Sequence, residues 1–182
     1  MRVIAGTARS INLITPKGFD TRPTTDKYKE TLFNCLQSYV GNSVFVDLFS
    51  GSGAIGIEAL SRGAAKAYFC DNSKEAIDCI KANLSKTKLA DRAVVYKEDC
   101  SFFIKNRIKE IPDIIFLDPP FKKHLEKEII PLLDEKSLIG EDTIIIVECD
   151  YESDFDFLVN LSLEIFKIKE YKTNKHVFIR KI

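Results

Sequence analysis

The sequence predicts an α/β fold: a mostly parallel sheet wrapped by helices and closed at one edge by an antiparallel hairpin. Three observations predict it. From Val44 onward, short apolar runs alternate with amphipathic stretches, the pattern of strands and crossover helices. The first apolar run feeds directly into G-x-G-x-x-G, Gly51 to Gly56, and then into a helical pattern. Near the end, "LSLEIFKIKEY" and "KHVFIRKI" alternate with a period of two on either side of "KTN", as a hairpin does.

In chain order, "RVIAG" and "INLIT" suit a small β-ribbon. "TTDKYKETLFNCLQSYV" then gives a helix that turns Leu32, Leu36, Tyr39 and Val40 toward the core. Strands are expected at Val44–Leu48, Ala67–Cys70, Ala93–Lys97, Asp113–Leu117 and Thr143–Glu148, and the terminal hairpin brings the sheet to seven. Helices are expected at Ala54–Arg62, Ser73–Lys86, Ser101–Lys109 and Lys122–Leu133. Ser73 is a good cap, and Ala76, Ile77, Ile80 and Leu84 behind it form one apolar stripe. At 182 residues the chain suits a single domain. Residues 1–40 supply the ribbon and first helix and 41–182 the core.

Composition narrows the class. With 45% hydrophobic and 30% charged residues, the chain is neither disordered nor of low complexity. Its longest apolar stretches, such as Thr143 to Val147, fall far short of the roughly 20 residues that span a bilayer. The start "MRVIAGTARS" has no apolar segment after its arginine, so no secretory signal is read and a cytoplasmic protein is expected. The five cysteines form no C-x-x-C pair and read as free thiols, with no metal site expected. Net charge is zero but unevenly spread. Residues 1–40 and the tail from Ile165 are basic, whereas 141–164 hold eight acids and no Lys or Arg. Two basic ends can form one face for an anionic polymer, although solvated surface charge explains them equally well.

The glycine loop reads Asp47-Leu48-Phe49-Ser50-Gly51-Ser52-Gly53, between a strand and a helix. Such a turn lets a ligand approach the main chain at a helix N-terminus. Asp71, 20 residues after Gly51 at the end of the second strand and followed by Asn72, is where an acid accepts from ribose hydroxyls. A dinucleotide would set a phosphate over the loop, where Asp47 would repel it. Asp47 instead suits a ligand with a cationic amine, such as the amino-acid end of S-adenosylmethionine. At the third strand's end, Asp99 can accept from an adenine amino group, with Cys100 beside it, or can simply cap the next helix. No Gly-Lys-Ser or Gly-Lys-Thr follows the loop, which excludes a P-loop.

The fourth strand ends in "FLDPPF". Proline cannot donate to a sheet ladder, so Asp118, Pro119, Pro120 and Phe121 must lie where the strand leaves the sheet, across the crevice from the glycine loop. A nucleobase amine is a poor nucleophile because its lone pair is delocalised. The Asp118 carboxylate and the Pro119 carbonyl can both accept from it and favour a pyramidal nitrogen. The two prolines stiffen that geometry, and Phe121 offers a face for a flipped base.

These residues resemble the amino methyltransferases of nucleic acids, whose loop after strand four is [DNS]-P-P-[FYW]. More narrowly, the chain resembles the bacterial RsmD family. The matching stretches are "MRVIAG", "TPKGFDTRPTTDKYKETLFNCL", "DLFSGSGAIGIEALSRGA" and "DPPF". The resemblance implies a Rossmann-like class I S-adenosylmethionine-dependent methyltransferase fold and methylation of the N2 amine of a guanine in small-subunit ribosomal RNA. It implies a cofactor site at Asp47, Phe49, Ser50, Gly51, Gly53, Asp71, Asn72, Asp99, Cys100 and Thr24, a catalytic loop at Asp118 to Phe121, and a monomer. It also implies RNA contacts from Arg2, Arg9, Arg22 and Lys27. The chain departs from the family's pattern twice: "GTARSIN" keeps only Arg9 where the family clusters basic residues, and "YKTNKHV" replaces a Tyr-Gly pair.

Methylation of a DNA adenine or of a protein glutamine is a competing reading, since those enzymes share the proline loop. A nicotinamide-dependent oxidoreductase or a nucleotide-binding module is more remote. Methylation at carbon 5 of a pyrimidine is disfavoured because no cysteine follows a proline. His124 is expected on a solvated helix start and His176 in the terminal hairpin, neither in a catalytic role.

Overall fold

The computed structural model describes residues 1–16, 26–120 and 123–182. It contains helices α1 (Asp26–Cys35), α2 (Ala54–Ser61), α3 (Lys74–Thr87), α4 (Cys100–Asn106) and α5 (Glu126–Glu135). The strands are β1 (Val44–Leu48), β2 (Lys66–Asp71), β3 (Ala93–Lys97), β4 (Ile114–Leu117), β5 (Ile144–Cys149), β6 (Leu163–Glu170) and β7 (Lys175–Lys181). They form one seven-stranded sheet in the order β3-β2-β1-β4-β5-β7-β6. Strands β1 to β5 run parallel, and β7 inserts antiparallel between β5 and β6. The fold class and the hairpin are those expected.

The order reverses direction at β1, whose neighbours are β2 and β4. A crevice at the carboxyl ends of strands flanking such a reversal is where open α/β sheets hold ligands. Each face of the sheet is covered. Phe45, Phe116, Ile146 and Phe178 pack with Leu32, Ile57 and Ile80 of α1 to α3. On the other face Val46, Leu48, Ile115 and Val147 pack with Phe103 and Ile104 of α4 and Ile130 of α5. Helix cover on both faces explains why these strands read as continuous apolar runs. The edges are β3 and β6, and at β6 exposed Lys167 and Lys169 and a register shift between Ile165 and Lys167 oppose edge-to-edge pairing.

Two expectations are corrected. Tyr39 is 48% exposed rather than in the core, because α1 ends at Cys35 and helical spacing no longer applies beyond it. Helix α5 begins at Glu126, later than the expected Lys122, since His124 sits in the left-handed region at φ 47° and interrupts the helical pattern.

The N-terminal ribbon is present in reduced form, as a single antiparallel bridge, Arg2 to Asn12, flanked by Val3 N–H to Ile11 O at 3.0 Å and Ser10 N–H to Val3 O at 2.8 Å. Its hold on the core was not anticipated. Glu58 of α2, fully buried, accepts from the Ile4 and Ala5 amides at 2.8 and 3.0 Å, and from Arg62 Nε at 2.7 Å. Lys29 of α1, also fully buried, lies 3.3 Å from Glu58 and donates to Arg2 O at 2.5 Å. Burial holds the Lys29 ammonium below its usual pKa, and Glu58 partly offsets that shift. Ser61 adds a second tie, accepting from Ala8 N–H and donating to Ala5 O. No helix among the described residues is long and apolar enough to cross a membrane.

Candidate active site

The glycine loop is shaped by its backbone. Phe49 and Gly51 both take left-handed conformations, φ 61° and 53°, and Gly53 follows at φ 75°. For Phe49 this is an uncommon conformation, held by the loop around it. Gly51 faces open space where a side chain would stand, leaving room for a ligand over the main chain. Gly56 answers a different need: a Cβ there would meet Phe69 Cε1 at 2.4 Å and Asp47 Oδ2 at 3.2 Å. A Gly56→Ala variant is therefore expected to lose about 1–3 kcal/mol of stability, measured by denaturant unfolding, through overpacking of α2 on β2.

Asp47 is 2% exposed and its Oδ2 accepts from the Gly56 amide at 2.9 Å, capping α2 from the strand below. Burial raises its pKa to about 7, against the lowering effect of that hydrogen bond. Asp71 draws the loop toward β2: its Oδ2 accepts from Gly51 N–H at 2.9 Å and its Oδ1 from Ser73 N–H at 2.8 Å. Each carboxylate oxygen keeps a second lone pair for a ligand. The Ser50 hydroxyl lies between strands, donating to Asp47 O at 2.6 Å and accepting from Cys70 N–H at 3.0 Å. Asn72 is exposed beside Asp71. Asp99 Oδ1 accepts from Ser101 and Phe102 amides at 2.9 and 3.2 Å, so the capping role foreseen for it is realised. Cys100 is buried against Cys70, whose thiol is held from ionising chiefly by its hydrogen bond to Cys100 and by burial.

Register places the proline loop across from these groups. Phe116 pairs with Asp47 on β1, and Leu117 pairs with Val147 on β5, so Asp118 follows level with Glu148 on the next step of the ladder. Side-chain alternation puts Asp47, Asp118 and Glu148 on the same face of the sheet. Burial, then Glu148, then Asp47 push the Asp118 carboxyl well above the usual range. Pro119 is buried and Pro120 exposed. A narrow crevice beneath them is lined by His124, Glu126, Glu148 and Asp150. Phe121, Thr24 and Arg22 lie outside the described residues.

Residues that sequence reasoning missed complete the loop's surroundings. His176 of β7 is fully buried, opposite Glu148 in the register, with Nε2 3.1 Å from Glu148 Oε2. Its Nδ1 lies 2.9 Å from the Tyr171 hydroxyl, and its ring stands edge-on to Phe116 at 6.0 Å. Asn174 donates to Glu148 Oε1. Tyr171 in turn packs against Tyr28 of α1, the ring centroids 4.5 Å apart and the planes tilted by 40°. Of the expected RNA contacts, Arg9 and Lys27 are exposed, whereas Arg2 is paired with Asp26 at 3.1 Å.

A parallel sheet with its reversal at β1, a glycine loop behind a buried carboxylate and Asp-Pro-Pro at the end of β4 together define a class I methyltransferase fold. The yhhF protein of Escherichia coli has this fold, at TM-score 0.86 and 30% identity, covering 100% of this chain and 97% of its own. The chain belongs to the RsmD family: residues 1–180 match the family described as Conserved hypothetical protein 95. It is 35% identical over 153 residues to ribosomal RNA small subunit methyltransferase D of Escherichia coli, spanning 84% of this chain and 76% of that one. It is 38% identical over 152 residues to the protein of that name from Haemophilus influenzae, spanning 82% and 79%. Fold and family imply S-adenosylmethionine as cofactor.

Proposed function

We propose that this chain transfers a methyl group from S-adenosylmethionine to the N2 amine of a guanine in small-subunit ribosomal RNA. The observation that carries the reading is the acceptor pair Asp118 and Glu148, set beside Asp47 at the carboxyl ends of β4, β5 and β1. The names of the relatives, ribosomal RNA small subunit methyltransferase D, supply the substrate class.

The chain's residues fit the cofactor. Buried Asp47 matches an ammonium group, Asp71 has lone pairs for ribose hydroxyls, and the space over Gly51 admits the ligand. When bound, the cofactor supplies a methyl group on a sulfonium centre that is already activated. The protein's part is then to orient the amine. Asp118 and the Pro119 carbonyl accept from the NH2, drawing its lone pair out of conjugation, and the Asp118 carboxylate is positioned to take the proton that the amine sheds. Exposed Arg9 and Lys27 supply phosphate contacts.

The test uses the full chain, labelled S-adenosylmethionine, and small-subunit rRNA from cells lacking this enzyme, both naked and in assembled particles. N2-methylguanosine in the digested RNA is the expected product. Label appearing only in DNA or in protein would overturn the rRNA reading in favour of the related amino methyltransferases. NADH binding without S-adenosylhomocysteine binding would overturn the class.

Asp47 adds a pH dependence. Its folded pKa is raised to about 7, so its contribution to the unliganded protein's stability is full below the unfolded carboxylate value and is lost as pH rises through about 7. An ammonium ligand favours the ionised form. S-adenosylhomocysteine affinity, measured by calorimetry, is therefore expected to rise about tenfold per pH unit between roughly 5 and 7 and then level off, with proton release on binding below that point. An Asp47→Asn variant should bind weakly and show no such slope.

A further inference from the structure

The partners of Glu148 go beyond what orienting an amine requires. Asp118 and Glu148 stand side by side at the ends of adjacent strands and on one face. Glu148 is 7% exposed, and β7 holds it from behind: Asn174 donates to Oε1 and His176 Nε2 meets Oε2 at 3.1 Å. His176 is itself braced by the Tyr171 hydroxyl at 2.9 Å. Asn174 Oδ1 is buried without a partner, so acceptors at this point outnumber the donors the described residues bring to it. A buried cluster with acceptors to spare calls for a ligand that presents several N–H groups in a row.

The nucleobases that carry an exocyclic amine differ in this respect. Adenine and cytosine place a ring nitrogen with a lone pair beside the amine on the Watson–Crick edge. Guanine places N1–H there. Two adjacent acceptors match guanine's N1–H and N2 amine, whereas a carboxylate facing the adenine or cytosine lone pair would be repelled.

We infer that Glu148, held by His176 and Asn174, is the residue that selects guanine, accepting from N1–H while Asp118 and the Pro119 carbonyl accept from the N2 amine. The assignment rests on the guanine-N2 reading above, and its test separates the two. The substrate is an rRNA fragment whose methylated nucleotide has first been mapped by mass spectrometry with the unaltered protein. Finding no N2-methylguanosine there overturns the functional reading and this inference with it. With the target mapped, 2-aminopurine is placed at that position; it keeps the N2 amine but presents a lone pair at N1.

The unaltered protein is expected to favour guanine over 2-aminopurine by on the order of 100-fold or more in kcat/KM. A preference under about threefold overturns the role of Glu148 and leaves the guanine reading standing. Glu148→Gln, whose amide can donate to N1, is expected to lose on the order of 100-fold on guanine while gaining on 2-aminopurine, with S-adenosylhomocysteine affinity unchanged. An equal loss on both bases would mark Glu148 as structural only and would also overturn the inference. His176→Gln, which keeps a donor toward Glu148, should preserve the preference for guanine; His176→Phe should blunt it.

Discussion

An Asp118→Ala variant is expected to lose on the order of 100- to 1,000-fold in kcat/KM for methyl transfer while binding S-adenosylhomocysteine as before. The expectation follows from position. Asp118 lies level with Glu148 beyond the last ladder pair of β4 and β5, and two residues past Phe116, the register partner of Asp47. Removing the acceptor leaves the amine conjugated and its proton without a destination, and losing one preorganised polar contact of this kind costs about 100- to 1,000-fold. The pH profile is a second readout. Burial and the two neighbouring carboxylates hold Asp118 well above the usual carboxylate range, so the rate should rise with pH as Asp118 ionises. A rate that falls as pH rises through neutrality, or an Asp118→Ala rate within tenfold of the parent, would remove Asp118 from the chemistry.

The largest structural effect is expected at Glu58. Replacing it by alanine strips a fully buried Lys29 of its counterion and leaves the Ile4 and Ala5 amides without their acceptor. Breaking a buried pair from one side costs about 3–5 kcal/mol, because the remaining charge stays desolvated. Thermal unfolding of Glu58→Ala should show a drop of that order, accompanied by early protease cleavage near the N-terminus. The double variant Glu58→Gln, Lys29→Met should recover much of the loss, since it removes both charges at once. If Glu58→Ala unfolds like the parent, the ion pair is not what fastens the ribbon.

The legible parts of the molecule and the hidden ones divide along a physical line. Strands β1 and β3 appear at their sequence-derived bounds, and β2, β4 and β5 within a residue at either end; β1, β2, β4 and β5 are legible because strands buried on both faces are continuous apolar runs. The glycine loop and the Asp-Pro-Pro turn were visible because their backbone conformations demand particular residues. Lys29 and Glu58 were not. A lone lysine and a lone glutamate on helices read as solvent-facing charge, and only their meeting across 29 positions of sequence takes them out of water. His176 and Glu148 were hidden for a related reason: their contact depends on β7 lying next to β5, a sheet neighbour that alternation within one strand cannot reveal. Tyr39 was misplaced because spacing was extended past a helix end that no Gly or Pro announces.

Helix α2 spans eight residues, and two neighbouring positions in it serve different masters. Its first turn is capped by Asp47 through Gly56, and two positions later Glu58 points to the N-terminal ribbon. Because each residue advances an α-helix by about 100° and 1.5 Å, the angle between those two functions is set by a count of residues and by nothing else. One residue inserted or deleted between Gly56 and Glu58 would keep the helix and its composition but swing the carboxylate through more than a quarter turn, away from the ribbon. In α2, phase is what must be preserved: a single-residue insertion there should be as damaging as the loss of Glu58 itself.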